Sequence, residues 1–393
     1  MLPIDRLDFD NLSESDLSEL IAAQVPEGLR IDYKRDLYGY SDADRREVLK
    51  DVSGFANAFG GHLIVGMEEQ NGLASSIPGV ASVNPDDVVL RLDQLARSGI
   101  EPRIQGLRIR AVPLQDGAYC FVLRIPRSWH PPHRVSAQNS NRFWIRNSGG
   151  THEASVDELR TLFTTGADTS HRLQQFRDER VREITNSQSP RPLVGDGQLI
   201  LHVVALSAVT SSWQVDLGSV SELDKKFSPI GASGFTPRFN LDGFVNERGG
   251  EQNFGYTQIF RSGTVEATMA SIVNTQQGEK YVHARTLENH VLGSLPNYVN
   301  GLRDLGVFPP LFVLMTLVGI KDAAYRVRKS NFDDREPPIE RDILFLPECV
   351  IHEYGDDAEY HKAVKPAFDA LWNAAGYVSA QTFTADGKWD PSA

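Results

Sequence analysis

Between Glu27 and Glu69 a strand pattern, a helix pattern and a second strand pattern follow one another with little room for loops. Leu29, Ile31 and Tyr33 alternate with Arg30, Asp32 and Lys34, the period of two expected of a half-buried strand. Val48, Leu49, Val52, Phe55, Ala56 and Phe59 recur at steps of three and four, which predicts an amphipathic helix. Ser41 suits its N-cap and Gly60-Gly61 its end, because glycine accepts the left-handed conformation of a C-terminal cap. Leu63, Val65 and Met67 then alternate with Ile64, Gly66 and Glu68. A strand, a helix and a strand joined this tightly predict a crossover whose two strands lie parallel and adjacent.

On such a pair Asp32, Lys34 and Glu68 meet at one end of the sheet. Glu27 lies an odd number of residues from Asp32, hence on the opposite face of a straight strand, and a bend at Gly28 would return it. Three carboxylates and a lysine at strand ends suit a hard divalent cation and a phosphate ester. Unrelated surface charges are the other reading of the same spacing.

These residues also carry a resemblance. E-x4-D-Y-K from Glu27 to Lys34, followed by G-F-A-N-A-F-G-G-H-L-I-V-G-M-E-E, resembles the AlbA_2 domain of the Schlafen family. The likeness continues through Ile100-Glu101-Pro102, Arg124-Ile125-Pro126 and Phe143-Trp144-Ile145-Arg146-Asn147-Ser148-Gly149, to about residue 165. It implies an N-terminal mixed sheet with helices. It also implies a metal-dependent RNase site in which Glu27, Asp32 and Glu68 hold Mg²⁺ or Mn²⁺ while Lys34 steadies the phosphate. The activity implied is that of an endoribonuclease acting on structured, tRNA-like RNA, in antiviral defence or a stress response. Asp32 and Glu68 stand where the family pattern has Glu and Asp. The same resemblance admits a second reading, a non-catalytic nucleotide- or nucleic-acid-binding protein of the ATP-binding or transcriptional-regulator kind.

A net charge of -12 argues against non-specific coating of nucleic acid, although charge is unevenly spread. From Arg91 to Arg146 every cation is an arginine, opposed by Asp93, Glu101 and Asp116 alone. Arginine forks suit phosphate, so Arg103, Arg108, Arg110 and Arg146 are candidates to line an RNA path beside the carboxylates. Solvated strand faces with local ion pairs are the plainer alternative. The two cysteines, Cys120 and Cys349, sit far apart in apolar runs and point to a reducing cytoplasm. The longest apolar stretch, Phe308 to Ile320, holds two prolines and is too short to span a bilayer.

The chain divides into an acidic arm and helix over 1–24, the AlbA_2-like domain over 25–166, a connecting helix and linker over 167–197, and a second domain over 198–393. Both domains read as α+β. Helices are predicted over Pro85–Arg97, Ala154–Phe163 and Ser170–Thr185. The loop R-S-W-H-P-P-H-R, with His130 and His133, reads as structural or as a nucleotide contact. In the second domain Arg238, Asp242, Arg261 and Glu266 read as cross-strand pairs or as a further site. One AlbA_2-like lobe offers one wall of an RNA groove, which predicts a homodimer or a larger even-numbered oligomer. Its expected seam is the stripe Leu173, Phe176, Val181 and Ile184.

Overall fold

The computed structural model describes residues 2–390 apart from 7–8, 82, 138–139, 249–251 and 327–336. The chain forms two units, Met1–Ser170 and His171–Ala393.

In the first unit the elements in chain order are α1 (Glu14–Ala22), β1 (Ile31–Lys34), α2 (Asp42–Asn57), β2 (Gly61–Val65), β3 (Glu68–Gln70), β4 (Leu73–Ser76), α3 (Pro85–Gly99), β5 (Ile100–Glu101), β6 (Arg108–Pro113), β7 (Tyr119–Ile125), β8 (Arg134–Val135), β9 (Arg142–Asn147) and β10 (Gly150–Glu153). α4 (Val156–Thr185) follows. The principal sheet has the order β1-β2-β7-β6 and a smaller one the order β10-β9-β8-β5. β1 and β2 are parallel, with Asp32 opposite Leu63 and Lys34 opposite Val65, as the crossover pattern requires. Ser41 caps α2, its Oγ accepting from the Asp44 amide at 3.2 Å while Asp44 accepts from the Ser41 amide at 3.1 Å.

Each face of the principal sheet is covered. On one side Ile31, Tyr33, Ile64, Val112 and Val122 pack under the arm and α1 through Ile4, Phe9, Leu17 and Leu20. On the other, Leu63, Val65, Phe121 and Leu123 pack against Val48, Val52 and Phe55 of α2 and Val88 and Leu92 of α3. β1 therefore turns Ile31 and Tyr33 toward the arm, and Asp32 and Lys34 toward α2.

The strand after the glycine pair departs from its pattern. The amides of Gly66 and Met67 both donate to the Lys34 carbonyl, at 2.7 and 3.2 Å, and Gly66 has φ +94°. Two amides thus share one carbonyl where the β1–β2 ladder ends, the chain turns at Gly66, and the alternation slips by one. Met67 joins the core under the arm instead of sharing a face with Leu63 and Val65. Glu68 opens a separate hairpin, β3 with β4.

The predicted helices over Ala154–Phe163 and Ser170–Thr185 are one continuous 30-residue helix, α4. The threonines between them look like a break. Their hydroxyls instead bond back to carbonyls one turn earlier, Thr164 to Arg160 at 3.0 Å and Thr165 to Thr161 at 2.7 Å, so the helix satisfies them internally.

The second unit contains β11 (Gln198–Ala205), α5 (Leu206–Thr210), α6 (Leu217–Glu222), β12 (Phe235–Phe239), β13 (Gly243–Arg248), β14 (Tyr256–Phe260), β15 (Val265–Ala270), β16 (Val273–Gln276), β17 (Glu279–His283), α7 (Ala284–Asp304), β18 (Leu311–Val318), β19 (Ala323–Arg326), β20 (Ile343–Phe345), β21 (Cys349–Ile351) and α8 (Asp357–Ala374). Its main sheet runs β12-β13-β14-β15-β11-β18-β20, with β21 also against β18. Leu199, Leu201 and Val203 face a core built with α7 and α8. The opposite face of β11 meets the C-terminal half of α4, where Val181 and Ile184 pack on Ile200 and Val318. Leu173 is wholly buried, and the Phe176 ring lies edge-on to His202 at 5.1 Å and Phe260 at 6.1 Å. This corrects the expected dimer seam: the stripe is spent within its own unit and offers no apolar strip to a second copy. No helix among the described residues is long and apolar enough to cross a membrane.

Candidate active site

The turn ahead of β1 brings Glu27 back to the strand. The Gly28 amide donates to the Ile31 carbonyl at 3.0 Å, and the Glu27 Oε1 accepts from the Tyr33 amide at 2.8 Å. Glu27 and Asp32 thereby come within each other's field. They line an open pocket of about 260 Å³ with Lys34, Glu47, Lys50, Asp51, Arg146 and the turn Ser148–Thr151.

α2 supplies Glu47, Lys50 and Asp51 because it packs across the β9–β10 hairpin. Gly54 permits the approach, since a Cβ there would lie 2.6 Å from Thr151 Cγ2. Asn57, one turn on, fixes the same contact by donating to the carbonyls of Trp144 at 2.8 Å and His133 at 2.9 Å.

Asp32 is 5% exposed and answered by two cations. Its Oδ1 accepts from Arg146 Nη2 at 3.1 Å. Its Oδ2 lies 2.8 Å from Lys34 Nζ in a charge-assisted pair. Burial alone would raise its pKa, but Lys34 and Arg146 outweigh burial and hold it below the usual carboxylate range. Burial likewise opposes the Lys34 charge, and Asp32 outweighs it, so Lys34 stays firmly protonated. The Glu27 carboxyl is pushed up, first by burial and then by Asp32, against the Tyr33 amide that favours its charge.

Asp51 belongs to none of the sequence motifs described above. It is 3% exposed, accepts from the Tyr38 hydroxyl at 2.9 Å, and is pushed by burial up to about 6. Arg91 braces this contact by donating to the carbonyls of Tyr38 at 2.8 Å and Gly39 at 2.9 Å. An aspartate on the buried side of an otherwise apolar helix stripe was the available signal.

Glu68 does not join the other acids. The turn at Gly66 carries it into the hairpin, where it pairs with Arg35 at 3.6 Å and accepts from Ser76 Oγ at 3.0 Å. The fit to a divalent ion follows. Asp32 already faces the Lys34 ammonium, Glu68 is directed elsewhere, and among the described residues no three His, Cys, Asp or Glu side chains are grouped to hold an ion. As placed, the residues do not form a three-carboxylate metal centre.

The four arginines do not form one track. Arg146 is 5% exposed and acts as an internal clamp: Nε donates to the Gly28 carbonyl at 2.7 Å, Nη2 to Ile31 and Asp32, and the guanidinium stacks 4.4 Å from the Phe55 ring centre. Arg108 and Arg110 share the face of Val112, under the arm, where Arg108 pairs with Asp10 at 2.6 Å. That is the sheet face opposite Asp32. Arg103 is exposed and lines a separate depression of about 200 Å³ with Asp93 and Arg97. A path running from all four into the pocket is therefore corrected. His133 is a loop tie, with Nδ1 2.7 Å from the Pro102 carbonyl and Nε2 2.7 Å from Ser128 Oγ.

Residues 27–155 match the family model described as Schlafen, AlbA_2. The first unit carries a Schlafen AlbA_2 domain. The solved structures similar to the chain include the N-terminal domain of an ATP-dependent DNA helicase RecG-related protein from Nitrosomonas europaea, at 23% identity over 37% of this chain and 94% of that one, with a TM-score of 0.27. The DIP2311 protein from Corynebacterium diphtheriae aligns at 16% identity over 35% of this chain and 30% of that one, with a TM-score of 0.24. No curated protein matches the chain. The matched AlbA_2 span contains every residue of the pocket.

Proposed function

We propose that the AlbA_2 unit takes the phosphodiester backbone of RNA into the Glu27–Asp51 pocket and cleaves it. The observation that carries this reading is the mixture of charges in one open pocket. Lys34 and Lys50 offer ammonium groups to a phosphate, while Glu27 and Asp51 keep carboxyls of raised pKa beside them. Cations that hold the phosphate and acids that titrate nearer to neutrality are what proton transfer at a phosphodiester requires. Asp32 and Arg146 act as the frame: their buried pair fixes the end of β1 and aims Lys34.

Mg²⁺ or Mn²⁺, which the family implies, would have to displace Lys34 from Asp32 to be held there. The test is cleavage of an end-labelled structured RNA, run in EDTA and with each ion. Wild type cleaving while Asp32→Asn does not is the expected result. Tight binding of RNA or nucleotide without cleavage under any of these conditions would return the site to the non-catalytic reading.

A further inference from the structure

Building on that phosphodiester reading, we propose that the third acid of the site is Asp51 rather than Glu68, and that Asp51 serves as its general base. Asp51 lines the pocket with Glu27, Asp32 and Lys34, whereas Glu68 does not. Oδ2 of Asp51 is tied to the Tyr38 hydroxyl, and the nearest cation to Oδ1 is Lys50 Nζ at 3.9 Å, too far for a hydrogen bond. One protein donor leaves acceptor capacity on a carboxylate that lines the pocket, and a hydroxyl brought in with a phosphate would use it.

The groups acting on Asp51 come from three sides. Lys34 and Lys50 favour its charge and Asp32 opposes it, while burial is the largest influence and leaves it a stronger base than an ordinary aspartate. Glu47 and Arg146 complete the charged lining. In the step, a hydroxyl of water or of the RNA sugar gives its proton to Asp51 as its oxygen bonds to phosphorus. The bond from phosphorus to the leaving oxygen breaks with its electron pair, and that oxygen takes a proton from solvent. Lys34 and Lys50 hold the charge on the phosphate throughout. Tyr38, braced by Arg91, is a positioning residue for Asp51.

The experiment follows cleavage of an end-labelled RNA hairpin between pH 5 and 9 by the full chain and by Asp51→Asn, Tyr38→Phe, Glu68→Gln and Asp32→Asn, with melting curves confirming that each is folded. Asp51→Asn should lower kcat about 100-fold and remove the rise of kcat with pH, which in wild type is centred near 6. Tyr38→Phe should displace that rise with a smaller loss, which keeps the proposal testable if Asp51→Asn is unfolded. Glu68→Gln should stay within about twofold of wild type. An inactive Glu68→Gln beside an Asp51→Asn that keeps its rate and pH limb would overturn the proposal.

A wild type that never cleaves would instead fell the phosphodiester reading, and RNA binding by fluorescence anisotropy at pH 8 then decides where Asp51 acts. Removing a carboxylate beside two lysines should tighten binding of the hairpin about threefold or more in Asp51→Asn and leave Glu68→Gln unchanged. Equal affinity of Asp51→Asn and wild type would contradict the placement.

Discussion

Each unit buries a carboxylate against an arginine, and the two are treated differently. In the second unit Glu266 is fully buried, and each oxygen receives two donors. Oε1 accepts from Tyr256 at 2.7 Å and Arg180 at 2.8 Å, and Oε2 from Arg180 at 2.8 Å and His202 at 3.0 Å. Burial would raise its pKa, yet these partners bring it down to about 2. In the first unit Asp32 is also paired with an arginine, but its second partner is a lysine about one-third exposed at an open pocket. The neighbouring Asp51 is buried with a single donor. A closed, saturated network stabilises a fold, whereas charge with spare acceptor capacity beside open space leaves groups free to act on a ligand.

The sharpest break in this comparison comes from removing the two carboxylate charges in turn. Asp32→Asn should lower RNA cleavage by about 1,000-fold at nearly constant volume, with RNA gel assays as the readout and the fold retained by circular dichroism. Glu266→Gln should leave cleavage per folded molecule unchanged but destabilise the second unit by about 3–5 kcal/mol in urea unfolding, because Arg180 is left partly unpaired in the interior. The pH dependence carries the same sign argument. The folded pKa of Glu266 lies below its unfolded value of 4.5, so its stabilisation, about 3 kcal/mol, is present above that value and lost as pH falls toward 2.

Asp51 has the opposite sign. Its folded pKa of about 6 exceeds the unfolded 3.8, so stability is fullest below pH 4 and is lost as pH rises through 6. Asp51→Asn should therefore stabilise the first unit by about 2 kcal/mol at pH 8, a gain that fades toward pH 4 in parallel melting curves. A variant that gains stability while losing activity would mark Asp51 as a residue kept for chemistry. The smallest effect concerns the arginines on the far sheet face. Arg108→Gln with Arg110→Gln should change RNA affinity less than about threefold and leave its salt dependence nearly intact, as measured by anisotropy across a salt series.

The crossover was legible because its residues obey local rules: period two in β1, steps of three and four in α2, a serine cap and a glycine stop. Glu27 and Asp32 could be brought together from sequence because one flexible residue, Gly28, sits between them. Glu68 leaves the pattern because the strand stops at Val65 and turns at Gly66, and a glycine inside an alternating run signals such a turn weakly. Arg146, by contrast, looked like surface charge, and its role as a clamp depends on carbonyls more than 100 residues away in sequence. The stripe on α4 illustrates the same limit, since a polar helix with a thin apolar edge gives no sign of which surface covers that edge.

The most direct test of the central claim locates the RNA without requiring catalysis. A structured RNA carrying 4-thiouridine would be photocrosslinked to the full chain and the linked peptides mapped. The account predicts crosslinks in the segments 27–34, 47–51 and 146–151, lost when Lys34 and Lys50 are both changed to Gln. Crosslinks concentrated instead on 103–110, undiminished in that double variant, would contradict it.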